Sequence, residues 1–417
     1  MSIALPKGPM PASGFPVMLV EHGIGGDRSF MLALANTWAK QGWATVSIEP
    51  VAHGSRAPLA GNTSDATGVK SKHGASTATY DGPDGFVDSN NAPTDLFGEL
   101  LNLGAMRDQF RQSVLDYGST VELISNPALD FGPLALKVPG VKFDATRIGY
   151  FGDSLSGILG SMLAAVDPKV KAFVLNVAGG GLIRDMAIYS PVVGGSFLSL
   201  AAVANFSLTL DTPVRPAHPI LPILQTTLDP ADPLLYAKHI ALDPVTINGA
   251  KNAPKNVVQI EVAWDDIVPN PSNEALIRAS GFALASPSVG SLANVELPTI
   301  EPKDGVISGY PGNDATAVAV QASPATHGSD FYSRDGERKY KPPYAQFDQD
   351  NPFPLQLPKL PVTEPYLELQ TMAVGMIQSV FDGQPGQVKG FPTPVLDFDG
   401  DGVPDESDSN PLDPTKQ

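Results

Sequence analysis

The chain has 417 residues, is 42% hydrophobic and carries a formal net charge of −17 at pH 7. Such acidity leaves no Lys/Arg stripe to neutralise nucleic-acid phosphates or dock on anionic lipid, and no apolar run reaches the roughly 20 residues of a membrane span. The absence of cysteine excludes disulfides and thiol chemistry, while 40 glycines and 41 prolines, below the share that signals disorder, point to long ordered loops.

Residues 16–21 read as a short buried strand running into His22-Gly23-Ile24-Gly25-Gly26. Residues 28–41 follow as a helix with Met31, Leu32, Leu34, Ala35 and Trp38 on one face. Gly42 stops it, and 43–48 form the next strand. Strand–helix–strand units of this kind build parallel sheets. Residues 54–95 are rich in Gly, Ser, Asp, Asn and Thr, and a loop that long in a compact chain calls for a functional reason. Residues 97–125 place Met106, Phe110, Val114, Tyr117, Val121 and Ile124 at three- and four-residue spacing, the core-facing stripe of a long helix.

A strand at 147–152, a sharp turn at Ser154, a helix at 155–166 and a strand at 171–177 come next. Residues 178–255 are apolar but broken by prolines, which predicts an inserted cap over a pocket. A strand at 256–263 leads to Trp264-Asp265-Asp266, a helix follows at 272–281, and a final helix at about 363–382 closes the domain. Beyond Pro392 the composition turns to Asp, Gly, Pro and Asn. No internal repeat of 20–50 residues is present. The expected architecture is α/β, a mostly parallel sheet flanked by helices, with a domain over 1–391 (insertions at about 54–95 and 178–255) and an acidic tail over 392–417.

In such sheets reactive groups gather at the carboxyl ends of strands. His22-Gly23, Ser154 and Asp265 all fall there. Ser154, in Gly152-Asp153-Ser154-Leu155-Ser156-Gly157, stands where a strand turns into a helix whose free N–H groups and dipole face it. It reads either as a nucleophile or as a plain helix N-cap, a position that favours serine. The run departs from G-x-S-x-G by Ser156 in place of the last glycine. A serine nucleophile needs a histidine oriented by a carboxylate, and Ser154, Asp265 and His327 supply the chain order Ser, Asp, His. His22 and His53 follow strands and read as structural, His73 lies in the polar loop, and His218 and His239 lie in the cap. Of the six histidines only His327 follows the acid. Gly25-Gly26 lacks the Lys-Ser/Thr that would follow in a phosphate cradle.

This pattern resembles the α/β-hydrolase family, in particular its bacterial extracellular lipases and esterases, over roughly residues 15–383. The resemblance rests on His22-Gly23-Ile24-Gly25-Gly26, Pro50-Val51-Ala52-His53-Gly54, the Ser154 turn, Asp265-Asp266-Ile267-Val268-Pro269-Asn270 and Thr326-His327-Gly328. It implies Ser154 as nucleophile, His327 as base and Asp265, four residues before Pro269, as acid, with Asp266 as the rival. It further implies the backbone N–H groups of Ile24 and Leu155 as oxyanion hole. The activity implied is carboxylic-ester hydrolysis of lipid or other hydrophobic esters, small molecules included, through an acyl-enzyme and without a catalytic cofactor. Acyl transfer or polyester hydrolysis on the same triad, or an inactive calcium-dependent surface module, are the alternatives. Two strands usually precede the one at residue 16 in this fold, and the sequence leaves no evident room for them.

Asp397, Asp399, Asp401, Asp405 and Asp408 occupy positions 1, 3, 5, 9 and 12 of a loop with Gly402 at position 6 and the Val403 carbonyl at position 7. That is calcium-loop spacing. The tail resembles a thrombospondin type 3 repeat, which implies a structural Ca²⁺ and, since such modules bind at roughly 10⁻⁴–10⁻³ M, a bacterial extracellular or cell-surface location. Because such repeats come in arrays, and because the two strands that usually precede residue 16 find no room, the chain is expected to be a piece of a larger surface or secreted protein whose signal peptide is not in this sequence.

Overall fold

The computed structural model describes residues 1–56, 79–80, 87–88, 103–190, 220–312, 314–323, 325, 327, 337–339, 359–361, 366–396, 403–404 and 406–409. Its main elements are β1 (Ser2–Ala4), β2 (Phe15–Glu21), α1 (Leu32–Ala39), β3 (Ala44–Ser47), α2 (Leu103–Ile124), β4 (Phe143–Asp153), α3 (Leu155–Val166), β5 (Ala172–Asn176), α4 (Ile220–Leu228), β6 (Asn256–Val262), α5 (Asn270–Ser280), β7 (Ala283–Ala285), β8 (Thr299–Ile300), β9 (Ala315–Ala322) and α6 (Tyr366–Phe381).

The sheet runs β1-β3-β2-β4-β5-β6-β9-β7-β8. Only β1 along this path is antiparallel; every other neighbouring pair is parallel. A parallel sheet is covered on both faces, and β2, β3, β5, β6, β7 and β9 are buried along their whole length. In β2, Val17 and Leu19 enter the core shared with α2 and α3, while Met18 and Val20 enter the core shared with α1 and α6. This is the period-2 alternation of a strand carried into two apolar layers. The order and the single antiparallel edge strand give the α/β-hydrolase fold. Among the described residues no helix is long and apolar enough to cross a membrane.

Three expectations change. A strand does precede β2: Ser2, Ile3 and Ala4 pair with Ser47, Val46 and Thr45. Leu32 is not part of the α1 core face but 62% exposed. Met31, Leu34, Ala35 and Trp38 follow the i, i+3, i+4, i+7 stripe, and Leu32 lies about 100° away from it around the helix. The sequence gives no strand at 315–322, yet β9 is a central, wholly buried strand. Its Ala-Thr-Ala-Val-Ala-Val-Gln-Ala composition is weak in strand formers, and contacts with β6 and β7 decide its state.

The region expected as an irregular cap contains a π-helical turn (Leu182–Ala187), α4 and a short hairpin at 246–251, with 191–219 outside the described residues. Asp232 ties the turn to the cap, its carboxylate accepting from the N–H groups of Gly181 (3.0 Å), Leu182 (2.7 Å) and Leu234 (2.9 Å). Of the expected loop at 54–95, residues 57–78, 81–86 and 89–95 are outside the described residues.

Candidate active site

β4 ends at Asp153, and the chain reverses at Ser154 with φ 52° and ψ −114°, a conformation that costs a non-glycine residue free energy and persists only when neighbours enforce it. They do so here. The Ser154 N–H donates to the Asn176 carbonyl at 3.0 Å, and its carbonyl accepts from Ile158 N–H at 3.0 Å to start α3. Ser154 holds the N-cap position, but its hydroxyl makes no capping bond. Its Oγ is instead 2.7 Å from His327 Nε2.

The packing around this turn explains the departure from G-x-S-x-G. A Cβ at Gly152 would meet the Ser156 carbonyl oxygen at 2.2 Å, and one at Gly157 would meet the Asn176 carbonyl oxygen at 2.7 Å. The close helix–strand approach thus falls on Gly157, one residue beyond the motif's end. Ser156 is fully buried. It donates from Oγ to the His22 carbonyl at 2.5 Å and accepts from the Tyr117 hydroxyl at 2.8 Å, while the Tyr150 hydroxyl donates to its carbonyl at 2.7 Å. This hydroxyl ties α3 to α2 and to the loop after β2, away from His327.

Asp265 stands on the turn after β6. Trp264 is forced to φ 61°, and Asn270 at the start of α5 holds the turn. Its Oδ1 accepts from Trp264 N–H, and its Nδ2 donates to Glu261 Oε1 and the Val262 carbonyl, all at 2.9 Å. Asp265 Oδ1 accepts from Ile267 and Val268 N–H at 2.8 and 3.0 Å. The same carboxylate accepts from His327 Nδ1, 2.6 Å from Oδ2 and 2.8 Å from Oδ1. Between the two aspartates the geometry selects Asp265: the bond to the ring is its own, while Asp266 accepts Ser190 Oγ on its backbone carbonyl at 3.3 Å.

Burial alone would lower the His327 pKa. Asp265 in contact, then Asp153 and Asp266, outweigh it and raise the ring to about 8. With Nδ1 donating to Asp265, the neutral ring presents the Nε2 lone pair to Ser154.

His22 and His53 take no part in this chain. Each donates from Nδ1 to a backbone carbonyl, Gly23 at 2.8 Å and Val51 at 2.9 Å, and their rings lie 5.5 Å apart. Burial pushes both down to about 4, so they are neutral at pH 7. The His22 bond shapes the loop that presents the Ile24 N–H, for which the described residues offer no acceptor. The Leu155 N–H is the first of α3 and has no partner within that helix. His239 bonds the Asp243 carbonyl at 2.6 Å within the cap.

His73, His218 and the tail residues Asp397, Asp399, Asp401 and Asp405 lie outside the described residues; Val403 and Asp408 are described. Among the described residues no group of three side chains could hold a metal ion. Two residues at the site escaped sequence reasoning. Asn270 was visible only as the residue after Val268-Pro269, and Asp153 only as the residue before Ser154.

No protein-family profile matches the chain, and no curated relative matches it in sequence. Solved structures do. An acetyl xylan esterase from a Paenibacillus species is 14% identical over 78% of this chain and 73% of its own, with a TM-score of 0.42. Acetyl xylan esterase 1 from a Thermoanaerobacterium species is 15% identical over 66% of this chain and 68% of its own, with a TM-score of 0.37. An acylaminoacyl peptidase from Pyrococcus horikoshii is 13% identical over 79% of this chain and 35% of its own, with a TM-score of 0.38. At such identities, what the site does is read from its own geometry.

Proposed function

We propose that the protein is a serine hydrolase of carboxylic esters. One observation carries the reading: a continuous chain from Ser154 Oγ through both nitrogens of His327 to Asp265, with links of 2.7 and 2.6 Å. Ser154 attacks the ester carbonyl, and His327 Nε2 takes its proton. Asp265 holds the ring in the Nδ1–H tautomer and balances the imidazolium that forms. The Ile24 and Leu155 N–H groups point their partial charge at the oxyanion; one such donor is worth about 3–4 kcal/mol in the transition state. His327 returns the proton to the leaving alcohol, and water repeats the sequence on the acyl-enzyme to release the acid. Hydrophobic acyl or lipid esters are the substrate class, in keeping with the apolar composition of the cap.

The test is Ser154→Ala. Turnover of p-nitrophenyl acyl esters should fall by at least about 10⁴-fold with the circular dichroism spectrum unchanged, and a fluorophosphonate probe should label Ser154 of the parent protein and nothing in the variant. Retained turnover in the folded variant would overturn the assignment. A series of esters of increasing acyl length then ranks substrates, with longer chains expected to lower KM.

A further inference from the structure

A Ser–His–Asp chain does not require Asp153, yet this carboxyl group is buried within the site, 8% exposed. It closes β4 opposite Asn176 of β5, whose side-chain amide donates to its Oδ1 at 2.9 Å. The second oxygen, Oδ2, faces Gly23 of the oxyanion loop. A Cβ built on Gly23 would meet Asp153 Oδ2 at 2.9 Å, Ser154 Cβ at 3.0 Å and Ser154 Oγ at 3.5 Å. One carboxylate oxygen and the reactive hydroxyl therefore flank the same small space, which a side chain at position 23 would crowd. Asn176 fixes one end of the carboxylate and leaves the other beside Gly23, across a small space from the Ser154 hydroxyl that meets His327.

Among the described residues, the charged groups acting on Asp153 are His327, which favours its ionised form, and Asp265, which opposes it. Those acting on His327 are Asp265, Asp153 and Asp266. Burial pushes Asp153 up to about 7, against the pull of His327 and the Asn176 bond.

We propose that Asp153 is a positioning residue for charge, a second counter-ion that acts on His327 from the Ser154 side while Asp265 acts through Nδ1. This rests on the hydrolase reading above for its catalytic consequence. An ionised Asp153 stabilises the imidazolium, so it keeps His327 protonated to higher pH and delays its availability as a base. It also helps the ring to accept the Ser154 proton once catalysis begins. Removal of this anion moves the two effects apart: His327 deprotonates at lower pH, and the imidazolium loses part of its stabilisation wherever Asp153 is ionised, above about pH 7. Because His327 acts as the neutral base, kcat/KM rises as pH passes upward through the ring's titration. Loss of the anion shifts that rise toward lower pH.

The experiment compares the parent protein with Asp153→Asn, which keeps the volume and the Asn176 contact, and with Asp153→Ala as a second uncharged variant. In pH profiles of kcat/KM on a p-nitrophenyl ester, the acid limb of both variants should move to lower pH. The midpoint of the limb should fall by about half a unit; the displacement should show above about pH 7, where the parent's Asp153 is ionised, and activity at pH 6 should change little. An independent readout needs no turnover. In the Ser154→Ala background, the His327 imidazole followed by NMR should titrate at lower pH once Asp153 is Asn. An acid limb and an NMR midpoint that both stay in place would overturn the proposal, as would a limb that moves to higher pH. If Ser154→Ala itself keeps full ester turnover, the hydrolase reading fails, and the NMR midpoint still decides the role of Asp153.

Discussion

His22 and His327 stand in the loops after β2 and β9, and their rings behave in opposite ways. Both are held away from solvent, which alone disfavours the imidazolium. His22 gives its Nδ1 proton to a neutral carbonyl, and its pKa falls to about 4; His327 gives it to Asp265, and its pKa rises to about 8. The difference is a carboxylate within hydrogen-bond distance. Burial leaves the first ring neutral, bonded to the Gly23 carbonyl. The second ring, partly buried, titrates near 8 because a fixed anion compensates the cost.

The largest effect should come from removing that anion. Asp265→Asn leaves the ring without its charge partner and favours the wrong tautomer, so kcat/KM should fall by roughly 10⁴-fold. NMR should then show His327 titrating closer to His22. A loss under tenfold would mean that Asp266 or another group substitutes for Asp265.

On the other side of the comparison the effect is one of stability. His53, like His22, takes a proton near 6.5 when unfolded but only near 4 when folded. The unfolded state therefore binds more protons in between, and stability contributed by the buried neutral ring is complete above about 6.5 and lost as pH falls toward 4. His53→Gln should remove up to about 3 kcal/mol of the drop in unfolding free energy between pH 7 and 4.5. Denaturant titrations at the two pH values measure it, and an undiminished drop would mean that His53 is hydrated in the native protein.

The smallest effect should be that of Asp266→Asn. Asp266 acts on His327 after Asp265 and Asp153 in order of strength. The acid limb should move in the same direction as with Asp153→Asn but by less, with the high-pH plateau unchanged. A larger displacement from Asp266 would reverse the order of the two flanking carboxylates.

The buried run of β2, the stripe of α2 and the Ser154 turn could be read directly, because each is a local pattern of apolar residues and turn chemistry. The chain order of serine, acid and histidine was legible for the same reason. β9 was not, since its alanines fit a strand only when two parallel neighbours bury them. Nor was β1, three residues long and stable only as an edge on β3. The displacement of the close-packing glycine from 156 to 157 depends on a 2.7 Å approach to the Asn176 carbonyl oxygen, a contact that no spacing rule contains.

From its sequence alone the chain determined an α/β architecture, a serine at a strand–helix apex and two further candidate groups at strand ends. It favoured Asp265 over Asp266 only through the resemblance, by its place four residues before Pro269. Tertiary structure separated them, because Asn270 and the two N–H groups of the turn aim a single carboxylate at His327. It also placed Asp153 among the groups that charge the ring, since electrostatic influence follows distance and burial, and both arise only when strands far apart in the chain become neighbours.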